Sequence, residues 1–160
     1  MRKVFATYLH SLAGGLIATF ILAYPQAQAV AAPDRGVVAS AVTLGLFLGV
    51  IFAGLLAVSV VITRLGIWGS AKTFRIQNRT SRRWLSLIWG CAAIAAALFL
   101  TPFGDYPLDI AGVLAAWVVI AGFGAMAAEE KFFSRANMTI MGSGTLISIG
   151  AGFAALSLIA

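Results

Sequence analysis

Residues 37–63 read VVASAVTLGLFLGVIFAGLLAVSVVIT, a run of 27 positions without a charge. As an α-helix the run would reach about 40 Å. A hydrocarbon core needs about 20 such residues, so this one stretch places the chain in a bilayer. Working outward, four further apolar runs occupy 4–24, 85–102, 111–128 and 139–160. The predicted fold is therefore all-α, a polytopic transmembrane bundle of five helices that uses 1–160 as a single integral membrane domain. Composition agrees: 61% of residues are hydrophobic, 10% are charged, and the mean hydropathy is +1.00. A soluble domain, which must coat its surface with polar groups, does not have that balance. Nothing between the runs approaches the roughly 50 residues of a small independent domain, so any soluble chemistry is expected to come from partners.

All eleven Lys and Arg residues lie outside the five runs. Threading the runs through a membrane puts ten of them on one side: Arg2 and Lys3, then Arg64, Lys72, Arg75, Arg79, Arg82 and Arg83, then Lys131 and Arg135. Basic flanks are retained on the cytoplasmic face during insertion, so these three segments are expected inside, as in a bacterial inner membrane. The loops 25–36 and 103–110 hold Arg35 beside Asp34, Asp105 and Asp109; they are expected outside, with Ala160. The first run is ambiguous. Arg2 and Lys3 resemble the n-region of a secretory signal, and Ala27-Gln28-Ala29 offers small residues for cleavage. Its apolar stretch exceeds the ~7–15 residues of a usual signal core, and we read it as a retained helix; cleavage would leave four.

Pro25, Pro33, Pro102 and Pro107 all fall in or beside the expected outer loops, where a missing amide donor costs little. Small residues are patterned instead. Ala41, Gly45, Gly49, Ala53 and Ala57 recur at every fourth position, as do Ser11, Gly15 and Thr19 and, in the last run, Gly144, Ser148 and Gly152. Such stripes let helices approach closely, and we read them as bundle packing first and as docking onto another subunit second. No Asp, Glu, Lys or Arg interrupts a run. Intramembrane charge is the usual mark of proton relays and ion paths, so a proton-coupled carrier is not expected.

His10 is the sole histidine. It suits a haem or quinone ligand in principle, but a self-satisfied interfacial histidine is the reading we adopt, and no cofactor or metal is expected. Cys91 is also alone and reads as a small apolar residue. The segment 64–84 carries six cations and no acid, with Trp68, Phe74 and Trp84 among them. We read it as a basic inner loop in which Arg64, Lys72, Arg75, Arg79, Arg82 and Arg83 meet anionic lipid headgroups or an acidic partner, while Trp68 and Trp84 anchor at the interface. The topology accounts for the charge before nucleic acid does, and none is expected. Glu129 and Glu130 lie next to Lys131 and Arg135, and local neutralisation within 129–137 explains them. Asp105 and Asp109 read as solvated loop acids. The sequons at Asn78 and Asn137 fall at the inner side and carry no weight.

No nucleotide loop, zinc spacing or nucleophile elbow occurs, and no enzyme is expected. We read the chain as a non-catalytic integral subunit that scaffolds or stabilises a larger complex with other integral membrane subunits, like or unlike itself. The alternatives are a small oligomeric channel or carrier lined by Thr43, Ser59, Thr145 and Ser148, and a component of a secretion or conjugation machine. The last rests on compositional similarity to membrane parts of such bacterial machines and gives no residue a role. If the longest small stripe is a packing face, Gly49→Leu will disrupt folding or association, which size-exclusion chromatography and thermal melting in detergent will register.

Overall fold

A computed structural model describes residues 2–30, 36–100 and 110–158 of the chain. The expected outer-loop residues Pro33, Asp34, Arg35, Pro102, Asp105, Pro107 and Asp109, and Ala160 at the end, lie outside the described residues. Five helices follow one another: α1 (Arg2–Val30), α2 (Val37–Thr73), α3 (Arg79–Leu100), α4 (Ala111–Ala127) and α5 (Arg135–Ser157). The protein is an all-α, multi-pass membrane bundle. Helices α1, α2, α3 and α5 are each long and apolar enough to cross a membrane, and α4 is a shorter apolar helix of 17 residues. That length lies at the lower limit for a span.

Successive helices run in opposite directions. Phe20 packs on Gly45 and Tyr8 reaches Ala53, while Ser11 sits at Gly124 and Trp117 at Gly15; residue numbers rise along one partner as they fall along the other. Helix α4 touches all four other helices, α2 the least, and α1 packs closely on both α2 and α4, so α4, with α1 against it, forms the centre. Near the middle of α4 the indole of Trp117 is fully buried. It lies over Gly15, donates from Nε1 to the Thr19 hydroxyl at 2.8 Å, and stacks on Phe52 with ring centres 5.2 Å apart. Ser11, Gly15 and Thr19 thus form the face on which α4 rests.

The small stripes are partly as expected. Gly45 and Gly49 face Phe20 and Leu16 of α1, Gly144 faces Phe123 of α4, and Gly152 faces Leu22 and the Gly112 carbonyl. Ala41 and Ser148 are buried as well. Ala53, however, is only half-buried, and Ala57 is exposed. With 3.6 residues per turn, each step of four overshoots by roughly 40°, so a five-member ladder sweeps off the face it starts on. Three glycines outside any ladder matter more. A Cβ at Gly90 would lie 2.6 Å from the Ala121 oxygen, one at Gly122 2.9 Å from the Leu87 oxygen, and one at Gly112 2.8 Å from the Gly152 oxygen. At these points backbone meets backbone.

Several boundaries move. Helix α1 runs through Pro25 to Val30, so 25–30 is not loop. Ala27 is buried. The basic segment 64–84 is mostly helix: α2 continues to Thr73, α3 starts at Arg79, and only 74–78 is non-helical between them. The extension forms because it has something to pack on. Ile67 is buried, the Trp89 ring covers Gly66, and Trp89 Nε1 donates to the Ser70 hydroxyl at 3.0 Å. A hydropathy boundary at Arg64 is therefore not a helix boundary. Asn78 accepts from the Thr80 amide and starts α3. Helix α5 starts at Arg135 rather than Thr139, capped by the Ser134 hydroxyl, which accepts from the Asn137 amide.

The tightest approach of α1 to α4 is at Gly124, where an added Cβ would strike the Ser11 hydroxyl and lie 2.8 Å from the Ser11 nitrogen. Gly124→Ala is expected to lower stability by about 1–3 kcal/mol, as overpacking does. Gly150→Ala, which meets nothing within 4 Å, is expected to leave the thermal midpoint in detergent where it is.

Candidate functional site

The chemistry-bearing side chains collect at one end of the bundle, where α4 finishes. Ala128 caps α4, and Glu129 and Glu130 follow it at the rim. Because they are adjacent in a turning chain, they point to different neighbours. Glu129 Oε2 accepts from Lys3 Nζ of α1 at 2.6 Å, and Glu129 Oε1 accepts from Arg64 Nη1 of α2 at 2.5 Å. Glu130 accepts from Arg79 and Arg83 of α3. Two successive carboxylates of one loop thereby bind three other helices.

Both carboxylates are almost enclosed, with side-chain exposures of 4% and 3%. Arg64 is enclosed too, at 11%. Its guanidinium also donates to the Thr7 hydroxyl from Nε at 3.0 Å and to the Ala125 carbonyl from Nη2 at 3.3 Å. Thr7 in turn donates to the Lys3 carbonyl. A buried ion pair is sustained only when its remaining donors and acceptors are also satisfied, and here Arg64 meets that condition. Lys3 and Arg79 lie mostly in solvent and contribute little as exposed pairs. Burial pushes the Glu129 carboxyl up, but the hydrogen bonds and charges of Lys3 and Arg64 outweigh it and hold the carboxyl below its ordinary value.

This arrangement corrects two expectations. Lys131 and Arg135 do not neutralise the glutamates; cations distant in sequence do, because those helices converge here. Arg64 and Arg83 are accordingly tied into the bundle, while Arg79 pairs with Glu130 from a mostly exposed position. Lys72, Arg75, Trp68 and Trp84 do stand at the surface, with Lys72 Nζ 5.4 Å from the Trp68 ring centre. Arg82 is half-buried and its Nε has no hydrogen-bond partner.

His10 uses both ring nitrogens within the chain, Nδ1 with the Ala6 carbonyl and Nε2 with Asn137 Oδ1 at 3.1 Å, and Phe132 packs edge-on against it. Asn137, legible in the sequence only as a sequon, is buried and donates to the Ala127 carbonyl at 2.8 Å. It links α1, the end of α4 and the start of α5. A polar amide two residues before the last apolar run was the available signal. The four hydroxyls of the channel alternative do not share a face. Ser59 and Ser148 are buried, Thr43 is exposed, and each of the four bonds a carbonyl of its own helix. Among the described residues no three His, Cys, Asp or Glu side chains gather as a metal site.

No protein-family model, no curated protein and no solved structure matches the chain.

Removing one partner of the enclosed pair strands the other. Glu129→Gln is expected to cost about 3–5 kcal/mol, against about 0–1 kcal/mol for Lys3→Gln, measured by thermal or denaturant unfolding in detergent. Because the folded Glu129 carboxyl is held below its unfolded value, its stabilisation is present above the ordinary value of 4.5 and is lost as pH falls through the folded value. A melting-against-pH series should show this acid-side loss in the wild type and a smaller one in Glu129→Gln.

Proposed function

We propose that the chain is a non-catalytic integral subunit that stabilises a larger membrane complex, in a bacterial inner membrane with the Glu129–Glu130 end facing the cytoplasm. The orientation follows from the basic residues gathered at that end. The assembly reading is supported above all by the outer face of α5. Only 17% of its most apolar stretch is buried within the chain. Yet that uncovered side includes Gly142, Ser143, Gly150 and Ala154, between the projecting Leu146, Ile147 and Phe153. Neither Gly142 nor Gly150 has anything within 4 Å of its Cβ direction. Lipid tails do not call for such recesses, whereas a neighbouring helix does, since membrane helices associate through small residues that admit close approach.

The stripes on α1 and α2 that first suggest docking are largely used inside the bundle, so the partner face is assigned to α5. The partner is another integral membrane subunit, of the same or a different kind. Its role is mechanical: a preformed five-helix body offers one grooved side to a neighbour and holds its own charged rim closed.

Gly150→Leu tests this reading without disturbing the fold, because its side chain projects into open space. With a tag in the 74–78 turn and gentle solubilisation, the wild type should bring down stoichiometric membrane partners or further copies of itself. Gly150→Leu should lose them while keeping the wild-type melting temperature. Recovery of the wild type as a lone monomer would sink the reading.

A further inference from the structure

We propose that the charged end of the bundle binds one anionic phospholipid, with its phosphate between Arg2 and Lys131 and an acyl chain in the adjoining groove between α1 and α2. A cleft of about 740 Å³ opens there between the first turn of α1, Arg79 and the 128–132 turn, a size typical of small-ligand sites. Glu129 and Glu130 border it, but each already accepts from two cations. What remains uncompensated is positive. Arg2 and Lys131 both line the cleft, both are exposed, and neither has an ion-pair or hydrogen-bond partner among the described residues. Two like charges beside one hollow repel until an anion sits between them. Phe5 and Phe132, at 64% and 40% exposure, flank the site and are of the kind that settles at headgroup level.

A second hollow separates a lipid from a free anion. Next to the cleft lies a groove of about 380 Å³ lined by Val4, Phe5, Tyr8, Ala57 and Val60. Phe5 borders both, so the charged cleft and the apolar groove adjoin at its ring. Val60 and Ala57 lie roughly 6 and 10 Å along α2 from Arg64 towards the membrane centre, at 1.5 Å per residue. The groove thus begins where the charged rim ends, in the order of a phospholipid's own parts. A phosphate ion would use the cleft alone; a zwitterionic lipid would fit the groove but bring no net charge to Arg2 and Lys131. The inference uses neither the outer face of α5 nor a protein partner, so it stands or falls apart from the assembly reading.

The test uses the full chain, delipidated in a neutral detergent, titrated with dioleoyl phosphatidylglycerol, dioleoyl phosphatidylcholine or inorganic phosphate and followed by native mass spectrometry and thermal melting. One phosphatidylglycerol should be retained per chain with a raised melting temperature, and neither of the other two probes should match it. Each cation contact is worth about 1 kcal/mol, so Lys131→Gln should weaken phosphatidylglycerol about fivefold and Arg2→Gln with Lys131→Gln about thirtyfold, while Arg135→Gln, outside the cleft, should not. Ala57→Phe, which fills the groove, should also weaken it, and the lipid-free melting of all four variants should stay at the wild-type value. Equal loss from Arg135→Gln and Lys131→Gln, equal binding of phosphatidylcholine, or full stabilisation by phosphate alone would each overturn the proposal.

Discussion

Helices already dissolved in hydrocarbon gain nothing from hiding apolar surface from one another, so they adhere only where backbones come close and polar groups bond across. The fold of this chain depends on that constraint. Helix α4 satisfies it on three sides, through Gly124 against α1, Gly122 against α3 and Gly112 against α5. Where α4 carries bulk instead, α1 gives way: Gly15 leaves room for the Trp117 indole, and Thr19 one turn on accepts its N–H. A 17-residue helix at the lower limit for crossing a membrane is held by being enclosed. Its neighbours, which reach further, supply the lateral surface.

The charged rim completes what the close approaches begin. Glu129 and Glu130 extend directly from the end of α4 and take cations from α1, α2 and α3, so the helix at the centre is also the source of the negative charge that gathers the others. Asn137 and His10 do the same for α5 by neutral hydrogen bonds. The cations therefore have two duties. As a group they set the expected orientation, a long-range effect that counts charges. Individually, Arg64 and Arg83 close the bundle, a short-range effect that depends on which carboxylate each one meets. Among the cations outside this pairing, Arg2 and Lys131 line the cleft beside the rim.

The sequence by itself determined the fold class and the positions of the five apolar runs, because the transfer of apolar side chains into hydrocarbon is additive along the chain and needs no knowledge of neighbours. It also determined most of the small-residue faces, since positions 45 and 49 share one face of α2, and 144 and 152 one face of α5, by local geometry alone. What only the tertiary structure decided is everything that depends on which helix lies opposite. The drift of Ala57 out to the exposed surface, the continuation of α2 past Arg64 onto Trp89, and the pairing of Glu129 with Lys3 and Arg64 instead of Lys131 all depend on which residues far apart in sequence lie opposite. Periodicity and charge counting are local or summed quantities. A close approach of two backbones or a buried ion pair is a property of two helices at once, and no single stretch of sequence contains it.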